Sequence, residues 1–338
     1  MKTKIVYVVI SSNKDNYFEQ VWASAWSLKH YNPDAHVTIL TDEATKNTIY
    51  ADDRKESLNY IDEIITVQFD GAYSNMEKSR WIKTNMRNLV TGDFLFIDAD
   101  TIITGDLSNV DSFNCSIGAV LDSHCHAIEV CDSVPFQDMY VDRLKKVYDL
   151  TYEGQDVFNS GVIFVRDDEK AHQFFDTWHR NWLTSRSKGF RVDQLSLLKT
   201  NIELGLPIVE IPGEYNCQIC FSIEYLTRAR IVHTFAHQKT STPLSPIMGD
   251  ELYNSINQHR CITEEISQIL LHCKETFNSP NYLVGKNWIK LRFNPAYFLI
   301  EETLNSSNKY DKAALKCLNF IARVFSYLLK HIKARTND

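Results

Sequence analysis

Phe94-Leu95-Phe96-Ile97-Asp98-Ala99-Asp100-Thr101 runs four apolar residues straight into two carboxylates. The apolar run predicts a short buried strand. Asp98 and Asp100 stand two apart, and in extended chain such residues point to the same side. Both carboxylates are then expected to converge at the carboxyl end of a strand, where open α/β sheets bind ligands. Convergent hard oxygens suit Mg²⁺ or Mn²⁺, which keep open positions for phosphate oxygens. A bare Asp-x-Asp also serves as a turn cap, so the flanking sequence has to decide.

Outward from this stretch, strand and helix signals alternate. Apolar, β-branched runs at 4–11, 36–41, 64–67, 115–122, 158–165, 207–212 and 230–233 predict strands. Residues 76–90 predict a helix, with Arg80, Lys83 and Arg87 on one face. Asp42 and either Asp167 or Asp168 are placed to cap helices, and Ala171, Phe174, Phe175, Trp178 and Trp182 form a core-facing stripe. Val192-Asp193-Gln194-Leu195 opens another helix, with Asp193 as its expected cap. Gly161 inside a strand predicts close approach of the backbone to another group. The alternation argues for an α/β fold with a mainly parallel, doubly wound sheet and a helical C-terminal extension. Two units are expected, residues 1–248 and 249–338.

The formal net charge of -7 argues against a general nucleic-acid binder. No run is long and apolar enough for a membrane-spanning helix. Nothing resembling a secretory signal precedes the first strand, so the eight cysteines are expected as reduced thiols in the cytoplasm. Cys217 and Cys220, with His124, Cys125, His126 and Cys131, lack a second pair at finger-like spacing, and zinc is not expected. Residues 309–335 carry seven basic residues and one acid beside an apolar stripe including Leu318, Ile321 and Phe325. That pattern reads either as a terminal helix docked on the domain or as a basic amphipathic helix on an anionic membrane surface.

Five markers occur in a telling order. They are Asp15-Asn16-Tyr17 after the first strand, 96–101, Phe158-Asn159-Ser160-Gly161-Val162, Asp193-Gln194, and His233 with Lys239. Over residues 4–245 the chain resembles the GT-A-fold glycosyltransferases, in particular glycosyltransferase family 8, the glycogenin and lipopolysaccharide galactosyl- and glucosyltransferase group. The resemblance implies a retaining transferase that moves a hexose from a UDP-sugar, UDP-glucose or UDP-galactose, to a glycan acceptor. It also implies Mn²⁺ (or Mg²⁺) held by Asp98, Asp100 and His233, with Ala99 between them against the donor. Tyr17 and Asn16 would contact the nucleotide, Arg80 or Lys83 the donor sugar and phosphate, and Lys239 the diphosphate. Asp122, Asn159 and Ser160 would line the donor site, and Asp193 and Gln194 would lie beneath the sugar. Ala236 replaces the family's glycine before Lys239, and Thr240-Ser241 replaces its Pro-Trp. Two other readings are a sugar nucleotidyltransferase, which the glycine-free loop 11–17 disfavours, and a non-catalytic nucleotide- or glycan-binding protein.

Overall fold

The strand of the opening stretch lies at the middle of the sheet. The structure is a computed structural model that describes all residues except 52–53, 72, 134–135, 237–244, 278–293, 295, 298–299, 301–302, 304–307, 319, 322–323 and 325–338. Its strands are β1 (Lys4–Val8), β2 (Val37–Asp42), β3 (Glu63–Val67), β4 (Phe94–Ile97), β5 (Thr101–Ile103), β6 (Ile117–Leu121), β7 (Phe158–Val165), β8 (Ile208–Glu210), β9 (Cys217–Gln218) and β10 (Ile231–His233). Seven of them form one sheet in the order β3-β2-β1-β4-β7-β6-β8. β1, β2, β3 and β4 are parallel, whereas β7 runs antiparallel to both β4 and β6. A second small sheet has the order β5-β10-β9.

The helices are α1 (Tyr17–Tyr31), α2 (Glu43–Tyr50), α3 (Asn75–Asn85), α4 (Asp142–Tyr148), α5 (Glu169–Ser187), α6 (Gln194–Glu203), α7 (Asp250–His259) and α8 (Glu264–Leu271). Alternation along β1 separates two cores. Ile5, Tyr7 and Val9 join the cluster that includes α1, α7 and α8, and Val6, Val8 and Ile10 join the one that includes α3 and α5. Leu95 and Ile97 split from Phe94 and Phe96 in the same way. A third, smaller cluster gathers residues 125–157 against α6.

Local chemistry sets the helix starts. Asp42 accepts from the Thr45 N–H at 2.9 Å, Asp168 from the Ala171 N–H at 2.8 Å, and Ser74 and Glu77 form a reciprocal capping box. α3 is shorter than the expected 76–90: it stops at Asn85, and a 3₁₀ turn, Met86–Asn88, follows. This break takes Arg87 off the face of Arg80 and Lys83. Its buried guanidinium instead donates to the carbonyls of Gly92, Val90 and Arg166, at the end of β4 remote from the carboxylates.

Candidate active site

Asp98 and Asp100 do converge, but not by strand alternation. β4 ends at Ile97, and Asp98-Ala99-Asp100 forms a bend before β5. The Thr101 hydroxyl closes the bend by donating to the Asp98 carbonyl at 2.9 Å. Ala99 packs against the larger core. β10 pairs antiparallel with β5, so His233 stands opposite Thr101. The Thr234 N–H donates to the Asp100 carbonyl at 2.8 Å and fastens the two segments together. His233 Nε2 lies 3.3 Å from an Asp100 carboxylate oxygen, and one ligand atom each from Asp98, Asp100 and His233 fall within 4.8 Å of one another. Among the described residues no other group of three or more such side chains is so placed.

The antiparallel course of β7 brings its first residues to the carboxyl end of β4. There Asn159 starts a chain of amides that sets the His233 tautomer. Asn159 Oδ1 accepts from the Gly161 N–H at 2.9 Å, and backbone N–H can only donate, so Asn159 Oδ1 is fixed as the acceptor. It also accepts from Asn216 Nδ2 at 2.9 Å. Asn216 Oδ1 is then left to accept from His233 Nδ1, 3.0 Å away. Nδ1 is therefore a donor, and Nε2 is the nitrogen that faces the carboxylates. Phe235 stacks on the imidazole with centroids 4.0 Å apart. No sequence motif marked Asn216, because its partners lie 57 and 17 residues away.

Two cations face the carboxylates from α3. Lys83 is buried over the Phe96 ring, and its Nζ reaches Asp98 and Asp193, each at 3.1 Å, and Ser160 at 3.2 Å. Arg80 Nε lies 2.8 Å from Asp193. Asp193 precedes α6 but makes no cap bond, contrary to the expected capping role. Its carboxylate is instead taken by Arg80, Lys83 and the Ser160 hydroxyl, the last at 2.9 Å. Burial opposes ionisation of Asp193, but Lys83 and Arg80 outweigh it and hold the carboxyl well below the usual carboxylate range. Burial pushes Asp98 up, against the opposing pull of Lys83. Gln194 spans back to β7, accepting from the Ser160 N–H at 3.2 Å and donating to the Phe158 carbonyl. Asp122 sits at the end of β6, where one oxygen accepts from Asn159 at 2.9 Å and the other from Tyr140 at 3.0 Å.

The remaining expected residues are placed as follows. Tyr17 opens α1 and is half exposed, beside the loop that Asp15 organises through Ser11 and Ser12. Asn16 bonds with Asn254 and Asn257 of α7, at 2.7 and 3.4 Å. Lys239 lies outside the described residues. The weighed zinc cluster is otherwise engaged: His124 accepts from the Gln218 N–H at 2.8 Å and His126 pairs with Asp156 at 2.9 Å.

No family model matches the chain, and no curated protein matches it in sequence. Solved structures match it in fold. The bifunctional glycosyltransferase WbbM aligns with a TM-score of 0.51 at 15% identity, over 79% of this chain and 51% of its own. The fold is that of the GT-A glycosyltransferases. The chain spans about half the length of WbbM. The galactosyltransferase LgtC, solved with donor and acceptor sugar analogs, gives 0.49 at 15% identity over 79% of this chain and 99% of its own. Mouse xyloside xylosyltransferase 1 gives 0.46 at 13% identity, over 71% and 100%.

Proposed function

We propose that the chain is a metal-dependent, retaining glycosyltransferase that moves a hexose, glucose or galactose, from UDP to a glycan acceptor. The convergence of Asp98, Asp100 and the Nε2 of His233 at the end of β4 carries this reading. Two carboxylates and one imidazole suit Mn²⁺ or Mg²⁺, and the Asn216 contact engages Nδ1 so that Nε2 is the nitrogen turned to the site. A cation bound there would supply Lewis-acid stabilisation to the leaving diphosphate. The chain's own contribution is positional and electrostatic. Lys83 and Arg80 offer positive charge where the diphosphate forms, and Lys239 would add to it. Tyr17 offers a ring for the uracil, with Asn16 beside it. Asp193, kept ionised by its cations, and Gln194, pinned to β7, are assigned to the sugar's far face. Asp122, Asn159 and Ser160 are assigned to sugar hydroxyls.

In this reading residues 1–248 form the catalytic unit. Residues 309–335 rest on the inner face of a cytoplasmic membrane, and the acceptor belongs to cell-surface polysaccharide or lipopolysaccharide. Among the described residues no helix is long and apolar enough to cross a membrane. Residues 309–318 are helical, and Tyr310, Phe320, Ile321 and Val324 are exposed, which favours contact with a surface over docking. Liposome sedimentation with and without 309–338 tests the surface; unchanged binding would end the idea. Calorimetry with UDP, with and without Mn²⁺, tests the site. Metal-dependent binding is expected, and its absence would sink the transferase reading. UDP release from UDP-sugars, followed by NMR of the product anomer, tests the reaction; an inverted product would overturn retention.

A further inference from the structure

Beside the carboxylate site lies a cavity of about 230 Å³. Asp122, Asn159 and Gln194 stand in its lining, and Phe235, stacked on His233, is one of its walls. Ser123 and Tyr140 stand beside this polar corner, and the rest of the wall is mainly apolar, with Cys125, Val130, Phe136, Met139 and Phe221. Phe221 meets Phe235 edge-on at 5.4 Å. Its polar corner is built rigidly. Ser123 and His124, just after Asp122, both take positive φ, at 59° and 53°. Gln218 staples this turn, accepting from the Ser123 N–H at 2.9 Å and donating to the Leu121 carbonyl at 2.8 Å.

A hexose edge bearing only hydroxyls fits these walls badly, because hydroxyls against Val130, Phe136 and Cys125 would lose their water partners. We propose that the cavity takes the acetamido group of an N-acetylated hexose, its methyl among the apolar walls and its N–H donating to Asp122. A carboxylate has about four acceptor positions. Asp122 meets the neutral donors Asn159 and Tyr140 and the Ser123 backbone, which leaves about one of those positions for a further donor. Burial pushes this carboxyl up, which is the condition a further donor relieves. The inference rests on the transferase reading and names the substrate class of that site. The acetamido sugar is either the donor's hexose, in place of glucose or galactose, or the acceptor's terminal residue.

Saturation-transfer NMR on the full chain separates the two sources. One arm compares UDP-N-acetylglucosamine with UDP-glucose in Mn²⁺. The other compares the methyl glycosides of N-acetylglucosamine and glucose in the presence of UDP and Mn²⁺. The acetamido methyl should be strongly saturated in one arm, with affinity roughly 10- to 100-fold above the hydroxyl counterpart. Ala127→Phe, which fills the cavity, and Met139→Asp, which charges its more exposed rim, should each erase that preference while UDP–Mn²⁺ affinity stays unchanged. Absence of acetamido preference in both arms, with UDP–Mn²⁺ still bound, overturns this proposal alone. A 6-deoxyhexose bound as well as the acetamido sugar also overturns it, since that sugar has no N–H for Asp122. Binding of the N-acetylated glycoside without any UDP binding would support the cavity and refute the transferase reading.

Discussion

Gly161→Ala tests the construction of the site more sharply than removal of a ligand would. The φ of Gly161 is not in the left-handed region, so alanine suits its backbone, and its position is constrained instead by space. A Cβ there would stand 2.4 Å from His233 Cε1 and 2.9 Å from both His233 Nδ1 and Asn159 Oδ1. Ordinary contact begins at 3.4 Å, so the imidazole must retreat by about 1 Å. It has little freedom to do so, because Phe235 stacks on it and Asn216 holds Nδ1. Disturbing the support of a metal-binding histidine lowers affinity on the order of 10- to 100-fold, or about 1.4–2.8 kcal/mol. Overpacking should lower stability by about 1–3 kcal/mol, which leaves a chain of this size folded. Titration of Mn²⁺ into protein saturated with UDP, beside a urea unfolding curve, reads both effects. Manganese affinity within about twofold of the parent would refute the account of why glycine stands there.

Asp98→Asn and Asp100→Asn should abolish turnover and leave the fold intact, because asparagine lacks the charge a cation needs; near-normal metal-dependent activity in either would reduce the opening stretch to a strand and a bend. Arg54 and Glu19 form an ion pair with both side chains fully buried, 2.8 Å apart. Arg54→Ala should therefore cost about 3–5 kcal/mol in urea unfolding, and a loss below about 1 kcal/mol would contradict this. Bonds from the Ser74 backbone N–H and hydroxyl, with Arg186, hold Glu77 down to about 2 from an ordinary 4.5. Its contribution is thus complete above pH 4.5 and lost as pH falls toward 2. Ser74→Ala should cost about 1 kcal/mol and flatten acid unfolding across that window in circular dichroism; an unaltered acid slope would disprove it.

The sequence showed where strands lie better than how they run. Residues 94–97 and 158–165 match β4 and β7 residue for residue, because the apolar runs 94–97 and 162–165, each followed by polar residues, leave little choice. Periodicity carries no direction, so the antiparallel setting of β7 was not legible, and that setting delivers Asn159 and Ser160 to the site. The convergence of Asp98 and Asp100 was foreseen on an extended geometry that the bend at 98–100 replaces. Asp193 was read as a residue beneath the sugar that also caps its helix; the cap bond is not made, and two cations some 110 residues earlier hold its carboxylate instead. Gly161 was read as a point of close approach, and His233 is what approaches. Asn216 lay beyond sequence reading, since a single asparagine between 3₁₀ turn and strand carries no pattern.

The lysine lodged among the carboxylates has a consequence for how ligands arrive. Asp98, Asp100 and Asp193 face Lys83 and Arg80, so cations offset much of the carboxylate charge before any ligand arrives. A dication alone meets a weak field there, and a nucleotide diphosphate alone meets a mildly hostile one. In the proposed transferase each would become the other's counter-ion once both are present. Their affinities must then be reciprocally linked, each raising the other by the same factor. Entry of the two as a nearly neutralised pair should also change little with ionic strength, although every contact that receives them is charged.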